Sequence, residues 1–73
     1  MNLLRSAYWV ERRGIDSGRW VHAIRHRINT RHRVPEELRE AALAVEGMDF
    51  TSTKLAAFLR RLARRMQTSA PQH

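Results

Sequence analysis

Seventy-three residues suffice for one domain, and a chain near this length withdraws only about 60% of its unfolded surface from water, which leaves a small core. The sequence contains no cysteine, which excludes disulfide staples and thiolate metal sites and fits a reducing cytoplasm. Its formal charge is +7, from fourteen basic residues that are all arginine except Lys54; such a surface draws phosphate polymers or acidic protein surfaces without specifying a fold.

The opening "NLLRSAYWVERRG" is readable in two ways. A helix gathers Leu3, Leu4, Ala7, Tyr8 and Val10 over a broad arc, includes Glu11 in it, and stops at Gly14. A short strand through Tyr8, Trp9 and Val10 is the alternative, because β-branched and aromatic residues cluster there. The helix is the preferred reading. The start has no leading basic region and no continuous apolar segment, and apolar runs elsewhere are short, so a soluble intracellular protein is expected.

Next, "IDSGRWVHAIRHRIN" offers Asp16 as a helix cap, with Ile15 and Trp20 at the two positions of a hydrophobic staple. Trp20, Val21, Ile24 and Ile28 then share a face. "VPEELREAALAVEG" places Pro35 at a first helical position and follows it with Glu36 and Glu37, where the helix dipole favours anions. Leu38, Ala41, Ala42 and Val45 form its apolar stripe, and Gly47 stops it. The last helix is the clearest: "FTSTKLAAFLRRLARRMQ" has Thr51 as cap and Phe50 and Leu55 as staple. Leu55, Phe58, Leu59, Leu62 and Met66 fall on one side, with Arg60, Arg61, Arg64 and Arg65 on the other. The pattern predicts an all-α fold of three to four short helices over residues 1–66, and a disordered tail at 67–73.

Catalytic and metal chemistry are poorly represented. His22 and His26 stand at metal-ligating spacing, but zinc needs three or four ligands, Arg19 and Arg25 would repel a cation, and no HExxH pattern occurs, so solvated histidines are the better reading. Ser6, Ser17 and Ser52 have no nucleophile setting, no glycine-rich phosphate loop is present, and the acids read as helix-start and surface charges. The expectation is a protein that binds rather than catalyses, without metal or cofactor.

The basic residues suggest what it binds. From Ser17 through Pro35 there is no acid, while "RHRINTRHR" concentrates Arg25, Arg27, Arg31 and Arg33 along the end of one helix and into the following loop. Arg60, Arg61, Arg64 and Arg65 form a second stripe, whose alternative explanation is simply the solvated back of an amphipathic helix. Guanidinium groups suit bidentate phosphate and carboxylate contacts; a GC-rich coding genome explains the arginine bias equally well.

Two arrangements of these elements are open. The helices around "MDF" resemble a helix-turn-helix, which would put Ser52, Thr53 and Lys54 in a DNA major groove and make the protein a transcriptional repressor. A generic helical hairpin explains the same pattern and is preferred. Alternatively, Tyr8, Trp9, Trp20, Leu43 and Met48 are more large apolar groups than the stripes need, and Tyr8 and Trp9 are candidate anchors for a protein partner; Trp9 closing the core is the competing explanation.

The chain as a whole, from "MNLLRSAYWVERRGID" to its arginine-rich end, resembles the small RNA polymerase-binding transcription regulators of lytic Xanthomonas phages in length and in its cysteine-free basic character. The resemblance implies a monomer in the cytoplasm of an infected bacterial cell, bound to the large polymerase subunits near the RNA exit channel. It implies inhibition of initiation by disturbing the sigma-containing holoenzyme and antitermination at intrinsic terminators; the basic residues are compatible with it, as arginines facing emerging RNA or an acidic polymerase surface. The resemblance assigns no individual residue.

Overall fold

The structure, a computed structural model, describes residues 2–69. The described residues form four helices: α1 (Leu3–Arg13), α2 (Ser17–Asn29), α3 (Glu36–Val45) and α4 (Ser52–Ser69). The ambiguous opening is helical. Its first turn is capped by Asn2, whose side chain accepts from the Arg5 amide at 2.8 Å. At the other end Gly14 adopts φ 64° and ψ 41°, and the Ile15 amide donates to the Val10 carbonyl at 2.9 Å. This is a Schellman stop, closed by contact-prone apolar residues at both of its ends, since Val10 and Ile15 are both buried.

Asp16 caps α2 as its sequence suggests, accepting from the Arg19 amide at 2.9 Å. Pro35 lies one position earlier than expected. It is the cap residue of α3, with ψ 146°, so its backbone is extended, and its carbonyl accepts from the amides of Leu38 and Arg39. Thr51 caps α4 through a 3.3 Å bond from the Lys54 amide. Phe50 packs against the ring of Phe58, with centroids 5.7 Å apart.

Helix α4 continues to Ser69, so residues 67–69 belong to the helix rather than to the expected tail. Gln67, Thr68 and Ser69 contain no breaker; the first is Pro71, which also disfavours helical backbone at the residue before it. The rest of that segment, 70–73, lies outside the described residues.

Helix pairing differs from chain order. α1 packs along α4 and α2 against α3, whereas α3 and α4 touch only marginally. The expected α3–α4 hairpin is therefore absent. Residues 48–50 of the intervening link are fastened to the start of α2 instead: the Ser17 hydroxyl donates to the Met48 carbonyl at 2.8 Å and accepts from the Phe50 amide at 3.0 Å. The Ser17 amide donates to the Phe50 carbonyl at 3.0 Å, giving a partner to an amide that the helix itself leaves free.

The core draws on every helix: Leu3, Ala7 and Val10 from α1, Trp20 and Ile24 from α2, Leu38 and Val45 from α3, Leu55 and Leu59 from α4. Trp20 is fully buried and donates its indole N–H to the Ser6 hydroxyl at 2.7 Å. That bond joins α2 to α1 and lets a polar aromatic group occupy the core without an unpaired donor. Ile28 and Met66, placed by period on the apolar faces, are instead substantially exposed, because the partner helix does not cover the ends of those stripes.

Candidate binding surfaces

The first surface lies on α1. The helical arc is too wide for one partner: α4 and Trp20 cover Leu3, Ser6, Ala7 and Val10, while Leu4 and Tyr8 are each 58% exposed. These two stand four residues apart and therefore side by side. Arg12 stacks over the Tyr8 ring, 5.5 Å from its centroid, and donates to its hydroxyl at 3.1 Å. The two expected anchors thus separate. Tyr8 is free to meet a partner, while Trp9 is half-buried and packed on the core. Leu4 belongs with Tyr8, although periodicity alone groups it with the core. One shallow groove runs between Leu4, Arg5, Tyr8 and Trp9; another joins Leu4 to Ala57, Arg60, Arg61 and Arg64 of α4.

The candidate arginines also divide. Arg60 is not a free cation: it donates to the Glu11 carboxylate at 2.6 Å, across the α1–α4 contact. This hydrogen bond, reinforced by the charge of Arg60 and opposed by desolvation, lowers the Glu11 pKa below its ordinary 4.5. The same bond raises the pKa of Arg60. Glu11, an apparent misfit on the apolar arc, is exposed and finds its partner on another helix. Arg25 is similarly held by Glu46. Arg61, Arg64 and Arg65 lie on the exposed side of α4.

Arg27, Arg31 and Arg33 make no ion pair with a described residue. Arg27 is half-buried and the other two are exposed. They occupy the turn that ends α2. There the His32 amide donates to the Arg27 carbonyl at 2.9 Å and the Arg31 amide to the Ile28 carbonyl at 3.1 Å, the two bonds of a Schellman motif. Arg31 is its left-handed residue, with φ 65°.

The other polar candidates have structural duties. Ser6 and Ser17 are buried and hydrogen-bonded within the fold. Among the described residues, no three His, Cys, Asp or Glu side chains gather as metal ligands, and no helix is long and apolar enough to cross a membrane. Ser52, Thr53 and Lys54 do begin α4. However, α4 is supported by α1 rather than by α3, unlike the second helix of a helix-turn-helix, which sits on its immediate predecessor.

The fold and its surface define a small all-α domain with a mixed apolar and cationic face on α1 and an arginine-bearing turn after α2. No family model, no curated protein and no solved structure matches the chain.

Proposed function

We propose that this protein is a non-catalytic transcription regulator that docks on bacterial RNA polymerase through the Leu4–Tyr8 face of α1. The single observation carrying a protein-docking role is that face: two adjacent large apolar side chains left uncovered, with Arg5 and Arg12 beside them. An aromatic and an aliphatic anchor bordered by guanidinium groups suit an acidic protein surface that also offers apolar contacts. The overall resemblance to phage regulators names that surface as the large polymerase subunits near the RNA exit channel. Occupancy there would disturb the sigma-containing holoenzyme during initiation and favour read-through at intrinsic terminators. Binding alone produces both effects.

The test is retention of bacterial core RNA polymerase by the purified protein after nuclease treatment and at moderately high salt. Leu4→Ser and Tyr8→Ala change exposed side chains, so they should leave thermal unfolding almost unchanged. Each should weaken retention by about tenfold, the effect of losing an anchor worth about 1.4 kcal/mol. Failure of the parent protein to retain polymerase would overturn the reading. Retention indifferent to both substitutions would overturn the assignment to α1.

A further inference from the structure

We propose that the turn closing α2 is a second binding site, one that takes the phosphodiester backbone of a nucleic acid, with Arg31 as its central ligand and Arg27 and Arg33 on either side. The site is separate from the α1 face and stands on its own geometry.

The backbone supplies the first observation. A Schellman turn requires one residue in the left-handed region, where a side chain crowds the following carbonyl and glycine is favoured. The chain meets the need with Gly14 at φ 64° after α1, and Gly47 at φ 88° also follows α3. After α2 it uses an arginine, at φ 65°.

The side chain supplies the second. No side-chain contact inside the protein compensates for this placement: the Arg31 guanidinium is exposed and has no carboxylate or other hydrogen-bond partner among the described residues. Arg25, Arg39 and Arg60, by contrast, are each near a glutamate. A residue held in a disfavoured conformation without internal reward marks a position where an external contact is a reason to retain it.

The turn is also fixed in advance. Thr30 Oγ1 donates to the His26 carbonyl at 2.9 Å and lies 2.8 Å from His32 Nδ1. The Thr30 hydroxyl therefore bridges the last turn of α2 to His32. With the two backbone bonds of the motif, it holds Arg31 at the apex, Arg27 on the helical arm and Arg33 on the outgoing arm. No acid interrupts the sequence from Ser17 through Pro35. Of the acids that flank this stretch, Asp16 caps α2 and Glu36 is near Arg39, and the more distant Glu46 is held to Arg25.

The chemistry favours nucleic acid over an acidic protein. Residues 30–33 are Thr, Arg, His and Arg, and the exposed Ile28 just before them lines a separate groove with Ala42 and Leu43 of α3, so the turn itself lacks the apolar anchor that a protein interface uses. Guanidinium forks match phosphate oxygens bidentately, and contacts to the backbone need no base code. RNA and DNA share that chemistry.

The experiment measures binding of the full chain to labelled 20-nucleotide single-stranded RNA, single-stranded DNA and duplex DNA by anisotropy, over a salt series. Arg31→Gly should raise Tm by about 3–6 °C, because it relieves the backbone while glycine returns part of the gain as unfolded-state freedom. At about 0.1 M salt it should weaken binding about fivefold. The slope of log K against log salt should fall by about 0.7 for a single strand or 0.9 for duplex. Arg31→Lys retains the charge and the backbone cost but loses the bidentate fork, so its affinity should fall between those of the parent and Arg31→Gly. Arg13→Gln removes the same charge elsewhere and should have less than about a twofold effect. The tightest of the three nucleic acids identifies the source.

A more stable Arg31→Gly protein that binds as tightly as the parent would overturn the proposal. So would a loss equal to that of Arg13→Gln, or displacement of every nucleic acid by polyglutamate at equal charge. A fall in Tm would overturn the backbone premise. Polymerase retention after nuclease treatment should not respond to Arg31→Gly, so failure at this turn and failure at the α1 face are distinguishable.

Discussion

Replacing Ser17 by alanine removes one oxygen and tests whether α2 holds the link between α3 and α4. The hydroxyl donates to the Met48 carbonyl at 2.8 Å and accepts from the Phe50 amide at 3.0 Å. Met48 is exposed, so its carbonyl can recover water; Phe50 is half-buried, and its amide loses an acceptor that water replaces only in part. Loss of the two bonds costs about 2 kcal/mol, and the better helix propensity of alanine returns about 0.5 kcal/mol. The net loss is therefore about 1.5 kcal/mol. At about 2.1 cal/mol/K per residue, the unfolding entropy of this chain is about 150 cal/mol/K, which converts the loss into a Tm decrease of about 10 °C. Thermal circular dichroism measures that shift, and amide exchange locates it. The Phe50 amide should exchange at least about thirtyfold faster, more than the roughly 13-fold expected from the global change alone. A Tm within about 3 °C of the parent, or unchanged exchange at Phe50, would refute the idea that this hydroxyl fastens the link.

Two further substitutions probe the charge and backbone arguments. Glu11 has its pKa lowered mainly by the hydrogen bond from Arg60. Its folded value therefore lies below its unfolded one, and the associated stability is fully present above the ordinary 4.5 and lost as pH falls through the folded value. Arg60→Gln should raise the Glu11 titration, followed by the side-chain carboxyl carbon in NMR, and flatten the stability change below pH 4.5; an unmoved titration contradicts the pair. Gly14→Ala adds a Cβ with no atom within 4 Å at φ 64°, so only backbone strain opposes it. That should cost about 1 kcal/mol and lower Tm by about 6 °C, opposite in sign to Arg31→Gly. An unchanged melting curve would show that the left-handed turn carries no such cost.

The local features were legible because their signals span only a few residues. Asp16 and Thr51 announce their caps, Gly14 announces its stop, and the apolar period of α4 places Leu55 and Leu59 inward. The turn after α2 was less legible, since no glycine marks its left-handed residue. The same short range limits the reading of α1. Leu3, Leu4, Ala7 and Tyr8 all fit one broad apolar arc, and only packing against α4 and Trp20 selects Leu3 and Ala7 for the core.

The candidate surfaces depended on contacts that no local pattern contains. Ser6 meets Trp20 fourteen residues away, Ser17 meets Phe50 across thirty-three, and Arg60 meets Glu11 across forty-nine. The sequence by itself determined the helices, most of their caps and the cationic character, since these follow from backbone preference, periodicity and composition. Tertiary structure decided that α3 and α4 part company, that Arg25 and Arg60 are engaged, that Leu4 and Tyr8 face outward, and that Arg31 does so with no acid beside it among the described residues. Those outcomes depend on which distant side chains arrive together, and an amphipathic helix specifies that a face must be covered without specifying what covers it.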